Sequence, residues 1–168
     1  MESVTDSTSE PSAEDVALLA VALGQVDAAH RRLRSRAARS LGITVSDLTA
    51  LIVISDSDGM TPTVLAAELG LSSGAVTAMV DRLDRDGRVY RAPRPGDRRS
   101  VVLRLTPHGV AAIETVWLTY LSAVSRAAEN SPHLMEAQTL MSLHEAAQAI
   151  DSVGELHPAI PISASGAA

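Results

Sequence analysis

Cysteine, phenylalanine and lysine are all missing from this chain of 168 residues. Without cysteine there is no disulfide framework, no thiol redox sensor and no thiolate metal ligation. Without lysine, all 14 cations are Arg. Such a set suits forked contacts to phosphate or guanine, and it equally follows from genomic base composition. Aromatic residues amount to 2%, two Tyr and one Trp, so any ligand pocket has few aromatic walls. No apolar run is long enough to span a bilayer, and the opening "MESVTDSTSE" is too polar and acidic for a signal peptide. These absences predict a soluble, intracellular protein of the cytoplasm.

The hydrophobic share of 46% predicts folding, and the length suits one domain with appendages. The net charge of -6 conceals an uneven distribution. Residues 1–30 carry six acids and no Arg, whereas "RRLRSRAAR" at 31–39 carries five Arg and no acid. Residues 82–104 hold eight Arg against three Asp. Two basic clusters therefore sit between acidic ends, a pattern that leaves nucleic acid open as a partner despite the overall sign.

Apolar spacing predicts a long helix from Val16 through Leu19, Leu23, Val26, His30, Leu33 and Ala37, closed by Gly42. Ser46 is the expected cap of a second helix, "DLTALIVIS". Thr61-Pro62 opens a third, with Gly70 just past its end. Ser72 then caps a fourth, whose stripe is Val76, Met79, Val80 and Leu83. Two short helices joined by "GLS" read as a helix-turn-helix. The β-type runs "RVYRA" and "SVVLRL" follow, joined by a basic loop with Pro93, Pro95 and Gly96 as turn residues. Thr106-Pro107 and Ser131-Pro132 open two further amphipathic helices. The three long helices exceed what the small middle module can cover, so a two-fold dimer would bury their apolar faces.

The fold class expected is mainly α with a small β-hairpin wing: a winged helix-turn-helix flanked by N- and C-terminal dimerisation helices. Its divisions are a disordered 1–12, a dimerisation helix over 13–40, a DNA-binding module over 41–105, dimerisation helices over 106–151 and a flexible tail over 152–168. "GLSSG" also matches the nucleophile-elbow pattern G-x-S-x-G, which would make Ser72 the nucleophile of a small serine hydrolase. That elbow needs a strand before the serine, and a helix is expected there. "HEAAQ" at His144 falls short of a zinc motif because Gln148 replaces the second His. No catalytic residue, metal ligand or cofactor is therefore expected.

"LAAELGLSSGAVTAMVDRLDRDGRV" and, more specifically, "DRRSVVLRLTPHG" resemble the MarR family, winged helix-turn-helix regulators named for multiple antibiotic resistance. The resemblance covers roughly Leu41 to Gly109. It implies a homodimer with interlocking terminal helices that binds operator DNA, usually as a repressor released by a small molecule.

A recognition helix reads base edges through its N-terminal part, which assigns that role to Ser72, Ser73, Gly74, Ala75, Thr77, Ala78 and Arg82. Arg82 and Arg85 have a second reading, as solvated partners of Asp81 and Asp84. In the hairpin, Arg94, Arg98 and Arg99 reach a minor groove or its phosphates. The resemblance implies that Asp97 positions an arginine and that one arginine enters the groove. Arg88, Arg91 and Arg104 read as fold-level or phosphate contacts. Arg32, Arg36 and Arg39 share a helical face and touch backbone phosphate or pair with acids across the dimer. By resemblance the effector pocket draws on His30, Trp117 and Tyr120, although helical spacing also reads these rings as core. A winged protein-interaction scaffold without a DNA target is the remaining alternative.

Overall fold

The structure, a computed structural model, describes residues 11–94 and 97–153, with the backbone alone for 97–99. The expectations for the first ten residues, for Pro95 and Gly96, and for the tail from residue 154 lie outside the described residues. Among the described residues the order is α1 (Ala13–Ser40), α2 (Val45–Ser55), α3 (Pro62–Leu69), α4 (Ser73–Arg85), β1 (Val89–Arg94), β2 (Asp97–Leu105), α5 (Pro107–Asn130) and α6 (Ala137–Asp151). This is the mainly helical fold with one hairpin that the sequence predicts.

Local chemistry sets most of the boundaries. Ser12 caps α1 reciprocally with Asp15; two hydrogen bonds from Ser12 hold the exposed Asp15 carboxyl below its usual range. Past the end of α1, Gly42 adopts φ 70°, and the Ile43 amide donates back to Ala38 O at 3.0 Å. The cap of α2 is Thr44, not Ser46: its hydroxyl accepts the Asp47 amide at 3.0 Å, and Asp47 accepts the Thr44 amide at 3.4 Å. A reciprocal box satisfies two orphan amides where Ser46 would satisfy one. At α5, the Thr106 hydroxyl accepts the Gly109 amide at 3.1 Å.

Ser131-Pro132 does not open the last helix. Ser131 has φ -144° and ψ 79°, away from the extended cap geometry, and makes no side-chain cap bond. A single 3-10 turn follows over Pro132–Met135, and α6 starts at Ala137. The strands also run further than the sequence suggests, β1 through Arg94 and β2 from Asp97. They pair antiparallel from Val89 opposite Leu105, with a register shift between Pro93 and Arg94. Met60 adds a one-residue bridge beside Leu103, with Leu103 N donating to Met60 O at 2.7 Å.

The chain forms two compact units, one ending at Tyr120 and one starting at Leu121. The core of the first joins Ala50, Leu51 and Ile54 of α2 to Leu65 of α3, to Val76, Met79, Val80 and Leu83 of α4, and to Val89 and Leu103 of the strands. Burial of each large side chain contributes about 1.5–3 kcal/mol. That core fixes α4 along one face and leaves its other face outward.

Candidate nucleic-acid interface

Between α3 and α4 the chain direction turns by 110°, within the range of a helix-turn-helix. Gly70 makes the turn possible, at φ 63° and ψ 32°; a Cβ there would strain the left-handed backbone. The Leu71 amide donates to Ala66 O at 2.9 Å, closing α3. Ser72 takes the extended geometry of a cap, and its Oγ accepts the Ala75 amide at 3.3 Å. The buried stripe Val76, Met79, Val80 and Leu83 turns the opposite face to solvent. There Ser73, Gly74, Ala75, Thr77 and Ala78 are exposed together. The Thr77 hydroxyl donates to Ser73 O at 2.9 Å, which leaves the oxygen of this exposed residue able to accept.

The charges on α4 are paired differently from the sequence reading. Arg82 does not pair with Asp81 or Asp84; its Nη2 donates to Asp47 Oδ1 at 2.8 Å. The Asp47 side chain is 6% exposed and that of Arg82 45%, so one edge of the guanidinium is held and the rest faces solvent. Asp81 and Asp84 are both taken by Arg91 of β1, whose Nη2 and Nη1 donate at 2.5 and 2.8 Å. Arg85 is exposed and has no ion pair among the described residues.

Two further arginines serve the fold. Arg88 is buried and donates from Nη2 to Leu41 O at 2.8 Å, a charged donor at the carbonyl end of α1. Arg104 pairs with Asp58 at 3.1 Å and donates to Asp58 O at 3.0 Å, which ties the loop after α2 to β2.

At the far end of the hairpin, Arg94 is exposed. Asp97, Arg98 and Arg99 follow in the backbone of β2; the expectations for their side chains lie outside the described residues. Arg32, Arg36 and Arg39 are exposed on α1, with Arg39 donating to Ser35 Oγ at 2.8 Å.

The structure brings His30, Trp117 and Tyr120 together. The Tyr120 ring lies 5.3 Å from that of His30 and 5.6 Å from that of Trp117. All three line a cavity of about 580 Å³ with Leu33, Ile52, Ile113 and Val116, while Arg34, Ser55 and Asp56 supply polar groups. Sequence reasoning missed Arg34 and Asp56. The signal available was Arg34 lying four residues after His30, one helical turn along the same face.

Residues 41–100 match the MarR family. An uncharacterised HTH-type transcriptional regulator, YcgE of Bacillus subtilis, is 43% identical over 67 residues, 40% of this chain and 44% of that protein. The multiple antibiotic resistance protein MarR of Salmonella typhimurium is 37% identical over 83 residues, 49% of this chain and 58% of that protein. The matches thus span about half the length of these curated relatives. Among solved structures, a mutant MarR from E. coli complexed with operator DNA aligns with a TM-score of 0.54 and 26% identity, covering 84% of this chain and 99% of that one.

Proposed function

We propose that this chain, whose residues 41–100 match the MarR family, is a sequence-specific transcriptional regulator that binds double-stranded DNA. It acts as a homodimer, as a ligand-responsive repressor in the cytoplasm. The observation that carries this reading is the outer face of α4. Ser73, Gly74, Ala75, Thr77 and Ala78 give it small, polar, closely approachable character over its first turns. A major groove admits such a helix, and exposed amides at its start favour phosphate. Arg82 adds a part-exposed cation further along, and Arg94, Asp97, Arg98 and Arg99 supply the wing that reaches a minor groove or its phosphates. Arg32, Arg36 and Arg39 offer backbone contacts.

Several apolar side chains support the dimer. Val16, Leu18 and Leu19 of α1 and Trp117 and Leu118 of α5 are all more than half exposed in the single chain, and a second copy covers them. Two recognition helices related by a two-fold axis read half-sites about one turn, ~10 bp, apart. The cavity around His30, Trp117 and Tyr120 receives the effector, which must bind the DNA-competent and released states unequally to shift them.

The hydrolase reading of Ser72 fails on the same geometry, since helix α3 precedes the serine and its hydroxyl caps α4. Footprinting on the DNA upstream of this chain's own gene tests the proposal. Protection of a pseudo-palindromic site supports it; weak binding equal on upstream and random duplexes leaves the interaction-scaffold reading in its place.

A further inference from the structure

The outer face of α4 carries two carboxylates, Asp81 and Asp84, on a helix whose proposed ligand is a polyanion. Left alone, both would repel phosphate. Both are instead held by one residue of another element. Arg91, in β1, donates from Nη2 to Asp81 Oδ1 at 2.5 Å and from Nη1 to Asp84 Oδ2 at 2.8 Å. The two acids are three residues apart, neighbours on a helical surface. The planar guanidinium fork spans them in a way that a single ammonium cannot. With both Nη groups engaged, Arg91 is poorly placed to serve as a phosphate contact itself.

We propose that Arg91 is a positioning residue for duplex binding. It fastens the wing's first strand to the C-terminal half of α4 and offsets one of the two negative charges of Asp81 and Asp84 where the duplex approaches. The proposal rests on the DNA-binding reading above. It accounts for two acids persisting on a DNA-facing helix: they serve as the anchor for the wing.

The side chains of Arg91, Asp81 and Asp84 are 35%, 50% and 44% exposed, so the clamp contributes modestly to stability. Its effect on a nearby polyanion is larger, because removing Arg91 doubles the negative charge of the trio and leaves both carboxylates unpaired. That repulsion is screened by salt, with a Debye length of about 10 Å at 0.1 M and about 3 Å at 1 M.

The test measures fluorescence anisotropy of a labelled upstream duplex with full-length protein at several salt concentrations. The variants are Arg91→Ala, Arg91→Lys, Asp81→Asn with Asp84→Asn, and that pair combined with Arg91→Ala. Arg91→Ala is expected to weaken binding roughly tenfold at low salt, with the loss shrinking as salt rises. Adding the two asparagines recovers most of the affinity without restoring the melting temperature, because asparagine cannot rebuild the clamp. A fold-only role would move binding and melting together.

Arg91→Lys keeps a charge and holds one acid, so it falls between wild type and Arg91→Ala; it also serves if Arg91→Ala fails to fold. A combined variant that binds as weakly as Arg91→Ala overturns the proposal. A wild-type chain that binds no duplex overturns the DNA reading beneath it, a result visible before any variant is made.

Discussion

Arg82 Nη2 lies 2.8 Å from Asp47 Oδ1, across 35 residues of sequence. Asp47 has two tasks, since its other oxygen accepts the Thr44 amide at the start of α2. One buried carboxylate thus fixes the beginning of α2 to the last turn of α4. Removing the Asp47 side chain takes away half of a capping box and frees a guanidinium that is already partly solvated. Asp47→Ala is therefore expected to cost about 1–2 kcal/mol, read as a lower urea midpoint with an unchanged m-value. Arg82→Ala should give a smaller stability loss and, in duplex titrations, a salt slope shallower by about 0.9, the signature of one lost phosphate contact. An unchanged slope would assign Arg82 wholly to the fold.

Ser72 offers a sharp contrast between two chemistries. As the cap of α4, its replacement by alanine costs about 1 kcal/mol, and thermal unfolding measures this directly. As a nucleophile, the same change would abolish ester hydrolysis. The expected result with an activated ester is no turnover above buffer in either wild type or Ser72→Ala, together with a lower melting temperature in the variant.

Gly109 tests whether packing or helix propensity governs the start of α5. Propensity alone favours alanine by about 1 kcal/mol. A Cβ at this position, however, would sit 2.1 Å from Arg88 O. That carbonyl cannot easily retreat, because it accepts the Thr106 amide at 3.0 Å. Gly109→Ala should therefore destabilise by about 1–3 kcal/mol, the cost of overpacking. A melting temperature that rises would show that the strand and helix can separate freely here.

How far the sequence could be read follows from the range of each interaction. Thr61-Pro62, Gly70 and Ser72 act within four residues, and each stands at the helix boundary that its own chemistry sets. Alternation of Val101 and Leu103 was enough to find β2, although its start lies earlier. The cap at Thr44 was legible in principle, as Thr-x-x-Asp, but Ser46 competed with it as the nearer hydroxyl before the apolar run. Nothing local distinguishes Ser131-Pro132 from Thr106-Pro107; only the backbone angles at Ser131 separate a 3-10 turn from a helix start. The partners of Arg82, Arg88, Arg91 and Arg104 lie 7 to 47 residues away, so charge clusters alone could not separate Arg88 and Arg91, which have partners in the fold, from Arg94.

Leu118 provides a test of the homodimer. It is 66% exposed in the single chain, and a surface substitution at such a position is usually worth within about 0.5 kcal/mol. If a second copy covers α5, Leu118→Glu buries a carboxylate against apolar surface and dissociates the pair. Sedimentation velocity should therefore find wild type at twice the protomer mass and Leu118→Glu at the protomer mass. Trp117, the sole tryptophan, is its neighbour and reports the same event without a label. Its emission should move to longer wavelength in Leu118→Glu and, for wild type, on dilution through the dissociation range. Wild type at the protomer mass, with the same emission as Leu118→Glu, would leave the exposed faces of α1 and α5 without a second copy to cover them.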